Sequence, residues 1–444
     1  MQFFHYSALI TFLAGPRDAA IGVFAILFLL GVLIFVHELG HYAMAKLFAV
    51  RVETFSLGFG KRLWGFRRGD TDYRISLLPL GGYVKMAGEN PMEERTGDPG
   101  EFMSHPRWQR FIIAIAGPVM NIILAVAVLT GVNMVHHERP ITANVGVVPA
   151  GSPAEKAGIQ TGDRILKIDN VRNPSWEQVW ERVAINPKQA IDVTVRRGDR
   201  VIETKLTPQE IGPDRAGDAG WMPMKEPAVV SEVMPNNPAA RAGLMAGDTI
   251  TALNGAPVQS SQEMVSRLQE AKLGPVEVSV LRDGKELKFT LHPELNSQEK
   301  RYMIGVAFNV DRLPLRQALD AALAECKSNS ILIFELVPKM LSGKNSIKQM
   351  SGPVGIMQVT YMTAVMGSWP RFLKLMALIS VNLAVFNLLP IPILDGGLML
   401  MLLIEGIMRR DIKQEIKERV YQAAFVFLLL FAAVVIFNDV AKHF

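Results

Sequence analysis

Four long stretches of the chain carry no charged residue: 19–36, 111–135, 375–394 and 420–437. A helix needs about 20 mainly apolar residues to cross the hydrocarbon core of a bilayer. Each stretch therefore predicts a transmembrane helix, the first continuing over roughly 18–50. We read it as a retained helix and not as a cleavable leader. No clearly basic region precedes it, and Glu38 to His41 follow where small residues would stand at a cleavage site.

The polar segments set the topology. Arg51, Lys61, Arg62, Arg67, Arg68, Arg74 and Lys85 lie between the first two spans, and Arg409, Arg410, Lys413, Lys417 and Arg419 between the last two. Short basic loops stay in the cytoplasm, so both termini and the long middle segment are expected outside. Between the first two spans, residues 73–78 and 83–86 read as strands around Pro79, Leu80, Gly81 and Gly82. We expect a hairpin with a glycine-rich turn, apolar enough to dip towards the membrane. Residues 90–100 read as a polar loop. Residues 313–346 read as an amphipathic helix on the outer membrane face, broken at Ser351-Gly352-Pro353-Val354-Gly355.

The middle segment repeats itself. Pro153-Ala154-Glu155-Lys156-Ala157-Gly158 through Gly162-Asp163 matches Pro238-Ala239-Ala240-Arg241-Ala242-Gly243 through Gly247-Asp248 at a constant offset. Each copy runs on into a strand and a turn. The pattern resembles bacterial PDZ domains, which bind peptides by adding a strand to a sheet edge. Peptide capture and simple rigid spacing both remain open, because a fold does not fix a function. The expected fold is thus a polytopic α-helical membrane protein with four transmembrane helices, a membrane-associated β-hairpin and two tandem β-rich PDZ-like domains. Its segments are 1–50, 51–110, 111–138, 139–224, 225–311, 312–370, 371–404 and 405–444.

Composition adds little. The net charge of +5 comes with no dense basic stripe, which fits an anionic lipid surface and not nucleic acid. Cys326 is the single cysteine, so no disulfide within the chain is possible, and we read it as inert.

The chemistry begins at His37-Glu38-Leu39-Gly40-His41. Histidines at i and i+4 share one helical face and reach one Zn²⁺ at roughly 2.0–2.1 Å. Glu38 is placed to hold the metal's water and take its proton. Three ionisable side chains at the end of an apolar span are costly without such a purpose. A catalytic zinc needs a third ligand and an open position. Met44 and Leu47 stand where a metzincin has glycine and histidine. Glu53 is too near, and His5, His105, His136, His137, His292 and His443 read as surface or structural residues. Asp395 is the candidate. It sits in Asn387-Leu388-Leu389-Pro390-Ile391-Pro392-Ile393-Leu394-Asp395-Gly396-Gly397, at the end of the third span and at the depth of the histidines. Taken alone, Asp-Gly-Gly reads as a helix C-terminus and turn.

These two motifs together, with the paired repeats between the second and third spans, resemble the site-2 protease family of intramembrane zinc metalloproteases over about residues 21–438. Ser56-Leu57-Gly58-Phe59-Gly60, Leu80 to Met86, and Ala116-Gly117-Pro118 with Asn121 support the resemblance. It implies a Zn²⁺ endopeptidase in the bacterial inner membrane, active towards the cytoplasmic side, with the PDZ-like domains in the periplasm. It implies that Asn387 holds the substrate backbone. Pro390, Gly81 and Gly82 are further substrate-positioning candidates. It also implies gating by size and, as partners, pre-trimmed single-span anti-sigma factors and remnant signal peptides in an envelope stress response. Two other readings stand beside it: a zinc hydrolase of another bond, and a PDZ-based scaffold without catalysis.

Overall fold

The computed structural model describes residues 16–89, 96–212, 215–296, 301–342, 352–365 and 369–441. His5, His443, Ser351, residues 90–95 of the polar loop and residues 343–346 lie outside them. The chain forms two compact units.

The first unit is helical. Helix α1 (Pro16–Leu47) leads into β1 (Val52–Arg68) and β2 (Thr71–Met86), and then α2 (Arg107–Val135). Later come α3 (Leu315–Leu341, shared with the second unit), α4 (Pro353–Val365), α5 (Trp369–Asn387), α6 (Asp395–Met408) and α7 (Gln414–Ala441). Among the described residues, four helices are long and apolar enough to span: Ala20–Leu47, Arg107–Val135, Trp369–Asn387 and Gln414–Asn438. Leu29 and Leu33 of α1 bury against Met376 of α5. Helix α4, in a stretch expected at the membrane surface, instead packs on α1. A side chain at Gly22 would overlap the Tyr361 ring.

Two expectations are corrected. Residues 73–78 and 83–86 are not each other's strand partners. Thr54 to Leu57 of β1 pair with Asp72 to Ile75 and also with Lys85 to Gly82, so β1 lies between the two stretches. The tight turn is Gly69-Asp70, closing Arg68 onto Thr71. Residues 79–81 only turn the chain around β1. The second correction concerns the third span, which ends at Asn387 and not at residue 394. Pro390 and Pro392 have no N–H to donate and disfavour helix at the residues before them. A separate helix then starts at Asp395, with Leu394 at its N-cap. Asp395 thus stands in a first turn, where the helix dipole favours a carboxylate. Gly396 and Gly397 pack on the break itself. A Cβ would lie 2.4 Å from the Leu388 carbonyl oxygen at the first and 2.2 Å from that of Ile391 at the second.

The second unit holds the repeat. Its first copy is a four-stranded sheet ordered Val171–Arg172, Arg164–Ile168, Ile191–Arg197, Arg200–Leu206, beside helix Trp176–Ala184. Ile165, Ile168, Val179, Val193, Val195 and Leu206 form its dry core. The second copy is a six-stranded sheet whose edge is Val306–Phe308, beside helix Ser261–Ala271. Ser175 and Ser260 cap the two helices through their hydroxyls. Each copy also carries one buried aspartate clamped by an arginine. Arg197 donates to both oxygens of Asp163, at 2.8 Å each, and to the Gly158 carbonyl. Arg282 does the same to Asp248, at 2.6 and 2.7 Å, and to Gly243. At the neck of the unit, Val310–Asp311 pairs with His137–Glu138, and Arg139 grips Asp311.

Arg282 holds the Asp248 carboxyl below its usual pKa. A depressed carboxylate adds stability above its unfolded pKa of about 3.9, and that stability is lost as pH falls through the folded value. Arg282→Ala strands a buried charge and should cost about 3–5 kcal/mol at neutral pH. In thermal melts of the purified chain the gap to wild type should narrow as pH falls towards 3. A gap that stays constant with pH would show that Asp248 is not the group responsible.

Candidate metal centre and active site

Helix α1 carries His37 and His41 one turn apart, both buried, with their Nε2 atoms 3.3 Å from each other. Asp395 approaches from the start of α6. Its Oδ2 lies 3.2 Å from His37 Nε2 and its Oδ1 3.5 Å from His41 Nε2. Among the described residues, these three form the one group of His, Cys, Asp or Glu side chains whose ligand atoms gather around a common point, within 4.8 Å of one another. Asp395 Oδ2 is buried and accepts no hydrogen bond. Lone pairs turned on one another at this depth need a cation.

Helix α2 builds the back wall. A Cβ on Gly117 would stand 2.3 Å from His41 Nε2 and 2.9 Å from His37 Cε1, so only glycine leaves room for both rings. Gly40, inside the histidine motif, allows the same closeness from the other side. A Cβ there would meet the Ala116 carbonyl oxygen at 2.3 Å. His41 Nδ1 donates to the Ile113 carbonyl at 2.8 Å, which leaves Nε2 as the free nitrogen. The Asn121 amide lies 3.2 Å from His37 Nδ1.

Glu38 is half-buried and faces the sheet. Its Oε2 accepts the Val84 N–H at 3.1 Å. Gly82 sits against its Cγ, where a Cβ would be 3.6 Å away. Asn387, the last residue of α5, brings its amide nitrogen to 3.3 Å from His37 Nε2. The other two positioning candidates make different contacts. Gly81 has φ +125° and packs on the Phe59 ring. Pro390 lines an apolar cavity of about 160 Å³ between α6 and α7, with Leu400, Ile404 and Val420. His105 bonds Gln109, and His137 faces Asn133. Cys326 is free and buried.

Sequence reasoning missed the Val84 contact and the part played by α2. Gly40 and Gly117 were in view, but their role depends on which helix faces which.

Two imidazoles and one carboxylate suit a zinc site, and the Glu38 carboxylate next to His37 in the chain suits hydrolysis. The chain is a zinc metalloendopeptidase. The sequence profile of Peptidase family M50 matches residues 25–431, and the chain belongs to that family, the site-2 proteases. It is 33% identical over 453 residues to the regulator of sigma-E protease RseP of Salmonella typhimurium, covering 94% of this chain and 98% of that one. The Escherichia coli RseP is 32% identical, with 93% and 97% covered. A Vibrio cholerae protein named as a candidate zinc metalloprotease is 32% identical, with 94% and 98% covered. Among solved structures, the PDZ domain of an SdrC-like protein from Listeria monocytogenes is 26% identical, covers 18% of this chain and 84% of its own, and has a TM-score of 0.17. Family membership sets aside the scaffold without catalysis.

Gly117→Ala should drive the imidazoles off their positions. Metal analysis should find its zinc well below one ion per chain, while Gly131→Ala, on the same helix with nothing within 4 Å, stays at the wild-type level. Equal zinc in both variants would refute the packing argument.

Proposed function

We propose that this chain cuts transmembrane segments of pre-trimmed single-span proteins of the anti-sigma type, and remnant signal peptides, in regulated intramembrane proteolysis of an envelope stress response. The observation that carries this is the meeting of His37, His41 and Asp395 beside a Glu38 pinned to a strand. His37, His41 and Asp395 would hold the zinc, which when bound would supply a Lewis acid for the scissile carbonyl and for activating water, whose pKa such a metal brings to about 7.

Glu38 accepts a proton and returns it to the leaving amine. Its bond to Val84 N–H aims one carboxylate oxygen and leaves the other for this work. Among the described residues, no second strand pairs with residues 82–86 beyond β1, and the Val84 and Met86 N–H groups on the other side are held by Glu38 and Glu89, so a substrate unwound from its helix would lie along that edge by displacing these carboxylates. Gly82 keeps the edge close to Glu38. Asn387 reaches the substrate backbone or the developing oxyanion from the opposite side. Gly81 shapes the reversal and Pro390 the helix break. Neither needs to touch substrate for this scheme.

The site lies towards the cytoplasmic face of the inner membrane, as the basic loops require, with the repeat in the periplasm. The two copies act as PDZ-like domains that filter substrates by size. The second offers a cleft of about 140 Å³ between its edge strand and helix, lined by Met234, Met264, Leu268 and Ile304. In the first copy the Trp176 and Trp221 rings, with centroids 5.7 Å apart, are buried in the core.

In liposomes, wild type should cut a trimmed single-span substrate. Glu38→Gln should keep its zinc and lose about 10²–10⁴-fold in rate, the usual worth of a general base. A variant that keeps both zinc and rate would remove Glu38 from the mechanism. Deleting residues 141–310 should raise cleavage of untrimmed substrate several-fold in the same assay. No gain would argue against gating.

A further inference from the structure

Ile113, Gly117 and Asn121 follow one another at intervals of four along α2, and so share one face of it. That face lies against both histidines. Ile113 serves His41 through its carbonyl, and Gly117 clears space for both rings. Asn121 stands opposite His37. It is completely buried, and its side-chain amide is 3.2 Å from His37 Nδ1, the ring nitrogen turned away from Asp395. Its Oδ1 has no hydrogen-bond partner. The backbone is anchored too. Ser380 of α5 donates its hydroxyl to the Asn121 carbonyl at 2.8 Å.

An imidazole that binds metal through Nε2 carries its proton on Nδ1, and that N–H needs an acceptor. The two ends of a carboxamide have the same shape. With the oxygen turned towards His37, one hydrogen bond satisfies both the Nδ1–H and the orphaned oxygen. With the nitrogen there instead, His37 would carry its proton on Nε2, and the lone pair for zinc would be lost.

We propose that Asn121 is a positioning residue: its amide oxygen accepts the His37 Nδ1–H, fixing the tautomer and ring plane that zinc requires. This rests on His37, His41 and Asp395 being the zinc ligands. The asparagine acts through His37 and touches neither metal nor substrate.

The test uses the full chain in detergent. Zinc affinity is measured by competition with a chelator, and the visible bands are recorded after loading with Co²⁺. Asn121→Leu keeps the volume and removes the acceptor. It should weaken zinc about 10–100-fold, the usual effect of losing such a partner, and shift the Co²⁺ bands. Asn121→Asp restores an acceptor and should hold zinc within a few-fold of wild type. Should Asn121→Leu not fold, Asn121→Ala gives the same comparison. Wild-type affinity in the Leu or Ala variant overturns the proposal. So does an equal loss in the Asp variant, which would leave Asn121 a packing role only. His37→Ala and Asp395→Ala run alongside. If these keep their zinc, the ligand assignment itself has failed. If they lose it while Asn121→Leu binds normally, only the role of Asn121 has failed.

Discussion

Two imidazole nitrogens and the two oxygens of one carboxylate, crowded to 3.2–3.5 Å, repel one another unless a cation lies among them. The helical unit is arranged around that demand. Helix α1 must come close to α2, and glycines at 40 and 117 permit it. Helix α5 must stop early enough for Asp395 to start a new helix facing back at the histidines, and two prolines stop it. The sheet must reach Glu38, and Gly82 lets it. Each of these small or rigid residues looks like a local irregularity. Together they bring polar groups to one point inside an apolar bundle.

Much of this was legible in the chain itself. The uncharged runs marked the four long apolar helices because length and absence of charge are local properties. His37 and His41 were legible because a helix maps i and i+4 onto one face. Asp395 could be paired with them because a catalytic zinc needs a third ligand and this carboxylate lies at their depth. The repeat showed itself as a constant offset, and the Asp163–Arg197 and Asp248–Arg282 clamps keep that offset in three dimensions.

The rest depended on contacts distant in sequence. Residues 73–78 and 83–86 look like natural partners, since a short turn joins them. Their true neighbour, Thr54 to Leu57, is no more strand-like than they are, and only the assembled sheet decides. The end of α5 was misplaced because apolarity runs on through the prolines to residue 394, whereas the backbone hydrogen bonds do not. Gly117 and Asn121 stood out only as part of the resemblance and Ile113 not at all, since nothing local says what they do. Their meaning comes from the helix opposite.

The neck of the second unit has a consequence for how such a chain can change. Arg139 and Asp311 are 172 positions apart and yet in contact, and a two-residue ribbon joins the strands around them. To the helices on either side, the segment between behaves as a short connection, and the entropy of closing it grows only slowly with its length. A segment tied off in this way can be lengthened, duplicated or exchanged without re-registering the helices it interrupts. A tandem repeat fits such a place, because the ribbon closes the segment whatever its length.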